Sequence, residues 1–140
     1  MSDRRLRFAV ATIAAVGAGI AAYLTYARYA HVTIVCATGG CETVQASAYA
    51  ELAGIPVAVL GLAAYVFVLA TAFFRGESAR VAGAATAVAG VLFGVYLLVV
   101  QLVVIDALCH WCLASDLVLD ALAVACLLRL RVRTLAGNPY

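Results

Sequence analysis

Four long apolar stretches, each able to cross a bilayer and separated by short polar turns, leave this chain few folds to choose from. A helix rises about 1.5 Å per residue, so about 20 apolar residues cover the hydrocarbon core. Phe8–Ala30, Pro56–Phe74, Val81–Ile105 and Leu108–Leu128 meet that requirement. Of the 140 residues 67% are hydrophobic and only 11% charged, whereas a soluble domain has roughly 25% charged residues. The expectation is an all-α integral membrane protein, with one domain over residues 1–140 and no room for a soluble one.

The charges predict the orientation. All nine basic residues are arginines. Arg4, Arg5 and Arg7 precede the first stretch, Arg75 and Arg80 flank the turn after the second, and Arg129, Arg131 and Arg133 follow the fourth. Only Arg28 lies at the other side. The positive-inside rule places both termini in the cytoplasm. The net charge of +2 is absorbed by these flanking arginines, and no nucleic-acid surface is read into it. The basic residues before the first stretch also suit a signal peptide, but the apolar run exceeds the usual h-region of about 7–15 residues. Tyr23, Tyr26 and Tyr29 resemble an interfacial belt, so a retained span is expected.

Short links make successive helices antiparallel neighbours, hence an up-down four-helix bundle. The outer loop over 31–55 is the longest polar segment, and Pro56 suits the first turn of the next helix. Gly90 and Gly94 form a GxxxG pair, and Gly17 and Gly19 add small surfaces. All permit close helix approach, within the bundle sooner than between chains.

Two cysteine pairs fall on one side of this topology. Cys36-Ala-Thr-Gly-Gly-Cys41 closes a small ring in the outer loop, and Cys109-His-Trp-Cys112 opens the last helix. A thiol at a helix start lies near unpaired backbone N–H groups and the positive end of the dipole, which favours the attacking thiolate. Both pairs face the periplasm, cell exterior or ER lumen, where disulfides persist. Static bridges are the plain alternative, but such small loops remove little chain entropy. A metal site helped by His31 or His110 is another, although this spacing is a poor zinc finger. Redox exchange is the reading preferred. Cys126, deep in the last span, reads as a small buried hydrophobe.

Steps of three, four and four lead from Cys109 to Cys112, Asp116 and Asp120, placing two carboxyls on the helical stripe of the CxxC. Acids within a span are costly and usually face the interior. They serve either proton transfer or ties to neighbours such as Gln101, Thr86 and Ser115.

Cys41-x2-Val44-x2-Ser47-x-Tyr49, then Gly54-Ile-Pro-Val-Ala-x-Leu-Gly61-x3-Tyr65, and later Cys109-x2-Cys112-Leu113-x-Ser115, resemble the bacterial and archaeal branch of the vitamin K epoxide reductase family. The wider-spaced pair precedes the CxxC, the reverse of the order in DsbB-type enzymes. The resemblance implies a four-helix bundle around a quinone, either menaquinone or ubiquinone. Electrons would pass from a separate, DsbA-like thioredoxin-fold partner to Cys36/Cys41, then through a transient Cys41–Cys109 link to Cys109/Cys112. Cys112 would lie against the quinone, and Ser47 matches the loop serine. Val57 stands where vertebrate members have an asparagine, and Asp116 where they have a tyrosine, which argues against epoxide reduction. Phe93, Tyr96 and Leu97 are expected to line the quinone site, with Asp116 beside them. Trp111 either closes its mouth or anchors the interface. A disulfide-stapled assembly module or a thiol metal carrier is the alternative function.

Overall fold

The computed structural model describes residues 3–30, 51, 52, 54–74, 76–106 and 109–137, with side chains through residue 132. Helix α1 runs Asp3–Ala30, α2 Val57–Ala72, α3 Glu77–Val99 and α4 His110–Gly137. A π-helical turn, Val100–Ile105, extends α3. Two-residue strands β1 (Glu51–Leu52) and β2 (Ile55–Pro56) pair antiparallel ahead of α2. The turn between them uses Gly54 at φ 83°, a conformation that suits a residue without Cβ.

Helix α1, α3 with its π extension, and α4 are each long and apolar enough to cross a membrane. Helix α2 is apolar but shorter, at 16 residues, or about 24 Å of rise. The expected second span is trimmed at both ends. Pro56 is drawn into the strand pair, where it is the N-cap of α2 and not its first turn, and Phe73 is the C-cap.

The helices pack in a ring, α1 against α2 and α4, and α3 against α2 and α4. On α1 the inward stripe is Leu6, Val10, Ala14, Gly17, Ala21, Leu24 and Ala27, each three or four residues after the last. Phe8, Tyr26 and Tyr29 on its other faces are exposed, as a lipid-facing surface requires. The main core joins Val10 and Ala14 to Tyr65, Val68, Ala87 and Leu122. Glycines set the spacing. A Cβ on Gly17 would lie 2.1 Å from the Tyr65 ring, and one on Gly90 2.9 Å from Leu119. The GxxxG pair of α3 therefore faces α4 within the bundle. Gly19 faces open space and contributes no such contact.

One end of the bundle is knotted by arginines. Arg129 donates to the carbonyls of Thr71 and Phe74, at 3.2 and 2.7 Å, and Arg7 to that of Ala72 at 2.8 Å. They lie in and just after the last turn of α2, where carbonyls lack the regular helical partner, and Thr71 also accepts the Phe74 N–H at 3.3 Å. Asp3 lies within salt-bridge distance of Arg80 and Arg129, at 3.4 and 3.5 Å. Arg80 and Arg129 are only 5% and 2% exposed, so they are buried ties between helices and not the solvated anchors that their flanking positions suggest. At the opposite end, Arg28 pairs with Glu51 and joins the end of α1 to β1.

Candidate active site

The π turn and the start of α4 build the site. Asp106 ends the π turn in the left-handed conformation, at φ 57° and ψ 39°. The buried Gln101 side chain accepts the backbone N–H of Cys109 through Oε1, at 2.9 Å. Local π geometry often marks such positions, because one wide turn re-aims a side chain.

Cys109 is the cap of α4. Its carbonyl accepts the N–H of Leu113 at 3.0 Å, and its Sγ accepts that of Cys112 at 3.3 Å. An N-cap side chain commonly accepts from this third helical amide. Here the acceptor is sulfur, so the amide and the positive end of the helix dipole both favour negative charge on it. The two Sγ atoms are 2.6 Å apart. Cys109 is 0% exposed and packs with Leu24 and Ala27, whereas Cys112 is half-buried.

Cys112 faces a cavity of about 500 Å³ that draws residues from all four helices. Ligand pockets are typically about 300–1,000 Å³ and mostly apolar with a few polar groups. Ala21 and Leu24 of α1, Val57 and Gly61 of α2, and Phe93 and Leu97 of α3 contribute the apolar wall. The polar lining is Tyr65, Thr86, Gln101, Ser115 and Asp116. The Tyr65 hydroxyl lies 2.9 Å from both the carbonyl oxygen and Oγ of Ser115, crossing from α2 to α4. Thr86 turns its hydroxyl to the Ala82 carbonyl of its own helix. Asp116 Oδ1 would lie 2.8 Å from a Cβ on Gly94, and its Oδ2 is buried with no hydrogen-bond partner among the described residues.

Phe93, Leu97, Cys112 and Asp116 are thus brought together as the sequence suggests. Tyr96 is not. It is 50% exposed, and its ring touches that of Phe93 from outside the cavity, at a centroid distance of 5.8 Å. Trp111 does not line the cavity either, since it turns to Tyr23 at 5.0 Å and to the His110 ring at 5.3 Å. Asp120 departs from the stripe of Cys109, Cys112 and Asp116 and is exposed. Beyond Asp116 the buried face of α4 passes to Leu122, Cys126 and Arg129, leaving Asp120 outside. Cys126 belongs to the core, as its setting suggests. Cys36, Cys41 and Ser47 lie outside the described residues.

Residues 8–127 match the model of the Vitamin K epoxide reductase family. The chain belongs to that family. The matched region covers nearly all of the bundle and the whole cavity lining. Membership makes this a membrane oxidoreductase of a family that uses quinone-type electron carriers. The cavity suits such a carrier, having a broad apolar wall for a ring and tail and a carboxyl oxygen with unused hydrogen-bonding capacity. Tyr65, Gln101 and Ser115 appear in the motifs or as hydrogen-bonding candidates, yet their joint role in shaping the cavity does not follow from spacing. The available signal is a polar side chain within an otherwise apolar span.

Proposed function

We propose that this family member is a thiol:quinone oxidoreductase that reoxidises a separate, DsbA-like thioredoxin-fold protein and thereby supports disulfide formation. Both termini lie in the cytoplasm of a plasma-membrane protein in this reading, and the cysteines act on the outer side. The observation that carries it is the division of labour within Cys109/Cys112. One sulfur is sealed among Leu24 and Ala27, and the other forms part of the cavity wall.

The reduced partner attacks the Cys36/Cys41 disulfide through a mixed disulfide, the obligatory intermediate of thiol exchange. The released Cys41 thiolate then attacks Cys109, and Cys112 leaves as a thiolate; Cys36 next attacks Cys41, so the Cys36/Cys41 disulfide re-forms and Cys109/Cys112 is left as the dithiol. Cys112, in the first turn of α4, leaves near the positive end of the helix dipole, which favours its thiolate. Phe93 and Leu97 hold the acceptor by apolar contact, while Gln101 keeps Cys109 in place beneath Cys112. A quinone supplies an acceptor for two electrons and two protons that is soluble in the bilayer. Ser47 contributes from the loop, and Asp116 from α4.

The test is anaerobic quinone reduction by the purified protein with dithiothreitol as donor, followed by quinone absorbance. Turnover in the wild type that vanishes in Cys112→Ser is expected. Absence of turnover with both ubiquinone and menaquinone analogues, in folded protein, would refute the assignment.

A further inference from the structure

Asp116 is the one acidic side chain in the cavity lining among the described residues. It lies one helical turn beyond Cys112, a separation that puts the two Cβ atoms about 5–6 Å apart. Gly94 supplies the space that its carboxyl occupies, because a Cβ there would come within 2.8 Å of Oδ1. A carboxyl serving only to tie helices would spend both oxygens on neighbours, since a buried acceptor left without a partner costs free energy. Asp116 Oδ2 makes no such tie. Two hydroxyls of the lining that could have donated to it are engaged elsewhere: Tyr65 with Ser115 and Thr86 with Ala82.

Few other titratable groups surround this carboxyl. From α4, Cys112 and Asp120 are its titratable neighbours in sequence, and Asp120 is exposed. Helix α2 brings Tyr65; α3 brings Gly90, Phe93, Gly94 and Leu97, none of which titrates; α1 brings Ala21 and Leu24. Within the lining, Asp116 is therefore the group best able to pass a proton between Cys112 and whatever occupies the cavity.

Resting on the proposed thiol:quinone reading, we infer that Asp116 is a catalytic proton relay, carrying the thiol protons from Cys112 Sγ to the oxygens of the bound quinone through Oδ2. The balance closes. When the Cys109–Cys112 disulfide forms, one S–S bond replaces two S–H bonds, and two electrons and two protons leave the pair. The quinone takes both electrons and both protons and becomes the quinol. The Cys112 proton passes to the Asp116 carboxylate and on to one oxygen. Before the S–S bond closes, the Cys109 proton moves to the adjacent Cys112 thiolate, and the same carboxylate delivers it to the other oxygen. Asp116 ends each passage ready for the next.

The experiment compares wild type, Asp116→Asn and Asp116→Glu in detergent, with a short-tailed ubiquinone analogue as acceptor and dithiothreitol as donor. Asparagine keeps the size and the acceptor oxygen but carries no proton. Removal of a general acid–base group typically costs about 10²–10⁴-fold in rate, so kcat in Asp116→Asn is expected to fall by at least about 10²-fold with KM little changed. Asp116→Glu restores most of the rate and retains a pH-dependent limb that Asp116→Asn loses. Infrared difference spectra on adding the analogue show a carboxyl carbonyl band in the wild type that Asp116→Asn abolishes. An undiminished kcat in Asp116→Asn overturns the relay. So does a structural pattern, in which both variants lose rate and thermal stability together and no carboxyl band responds to the analogue. A wild type that reduces no quinone refutes the parent reading instead, so the two failures are told apart.

Discussion

Gln101 holds Cys109 by its backbone: Oε1 of the π-turn glutamine accepts the Cys109 N–H at 2.9 Å, joining the end of α3 to the start of α4. Both residues are buried. The bond fixes the height at which α4 begins, and with it the position of both sulfurs.

Gln101→Leu should leave that amide buried without an acceptor, a loss of about 1–3 kcal/mol. Thermal unfolding in detergent should show the lower stability, and oxidation of the dithiol by a quinone analogue should slow. Gln101→Glu keeps the acceptor oxygen and should hold the rate closer to wild type. Equal behaviour of the leucine variant and wild type would show that the bond positions nothing.

Gly17 and Gly19 separate packing from composition. A Cβ on Gly17 meets the Tyr65 ring at 2.1 Å, whereas one on Gly19 meets nothing within 4 Å. Gly17→Ala should therefore cost about 1–3 kcal/mol by overpacking and push Tyr65 off Ser115. Gly19→Ala should be close to neutral. Melting temperatures of the two variants side by side decide the point.

Arg129→Ala should be among the more destabilising changes at the basic end. It takes a donor from the Thr71 and Phe74 carbonyls, of which Thr71 keeps the Phe74 N–H, and leaves Asp3 with less countercharge. Breaking a buried ion pair costs about 3–5 kcal/mol. Because the Asp3 side chain is still 34% exposed, solvent screening lowers the expectation to about 2–3 kcal/mol. Arg131→Ala, at an exposed position of the same helix, should change the melting temperature little.

Tyr65→Phe removes the hydroxyl that bridges α2 to α4. Interhelical hydrogen bonds within membranes average about 0.6 kcal/mol, so stability should drop only slightly. The cavity wall loses its cross-tie, and affinity for a quinone analogue, measured by titration, should weaken more than stability does.

These contrasts show where sequence reasoning works on such a chain. The helices are legible because long apolar runs have one outcome in a bilayer. Cys112 and Asp116 are legible because a helical stripe of polar groups must find an interior. Tyr96 and Trp111 are not, since lipid and a lipophilic cavity favour the same side chains, and composition does not tell an outward ring from an inward one. Phe93 and Tyr96 lie three residues apart on α3, yet only Phe93 faces the cavity. Arg80 and Arg129 mislead for the converse reason. Charge at the end of a span predicts its side of the membrane, but says nothing about whether a neighbouring helix ends early enough to claim the guanidinium. Asp120 lies near the turning point of the buried face, where a shift of a few tens of degrees separates inside from outside.

The brevity of α2 has a mechanical consequence. Its last carbonyls are gripped by arginines from α1 and α4, so three of the four staves are fastened together at one rim. The other rim carries the strand pair, the π turn and the CxxC, where the ties are Arg28 to Glu51 and Gln101 to Cys109. Entry of a bulky lipophilic guest is therefore expected at the end where the sulfurs are, beside the cavity wall that Cys112 forms.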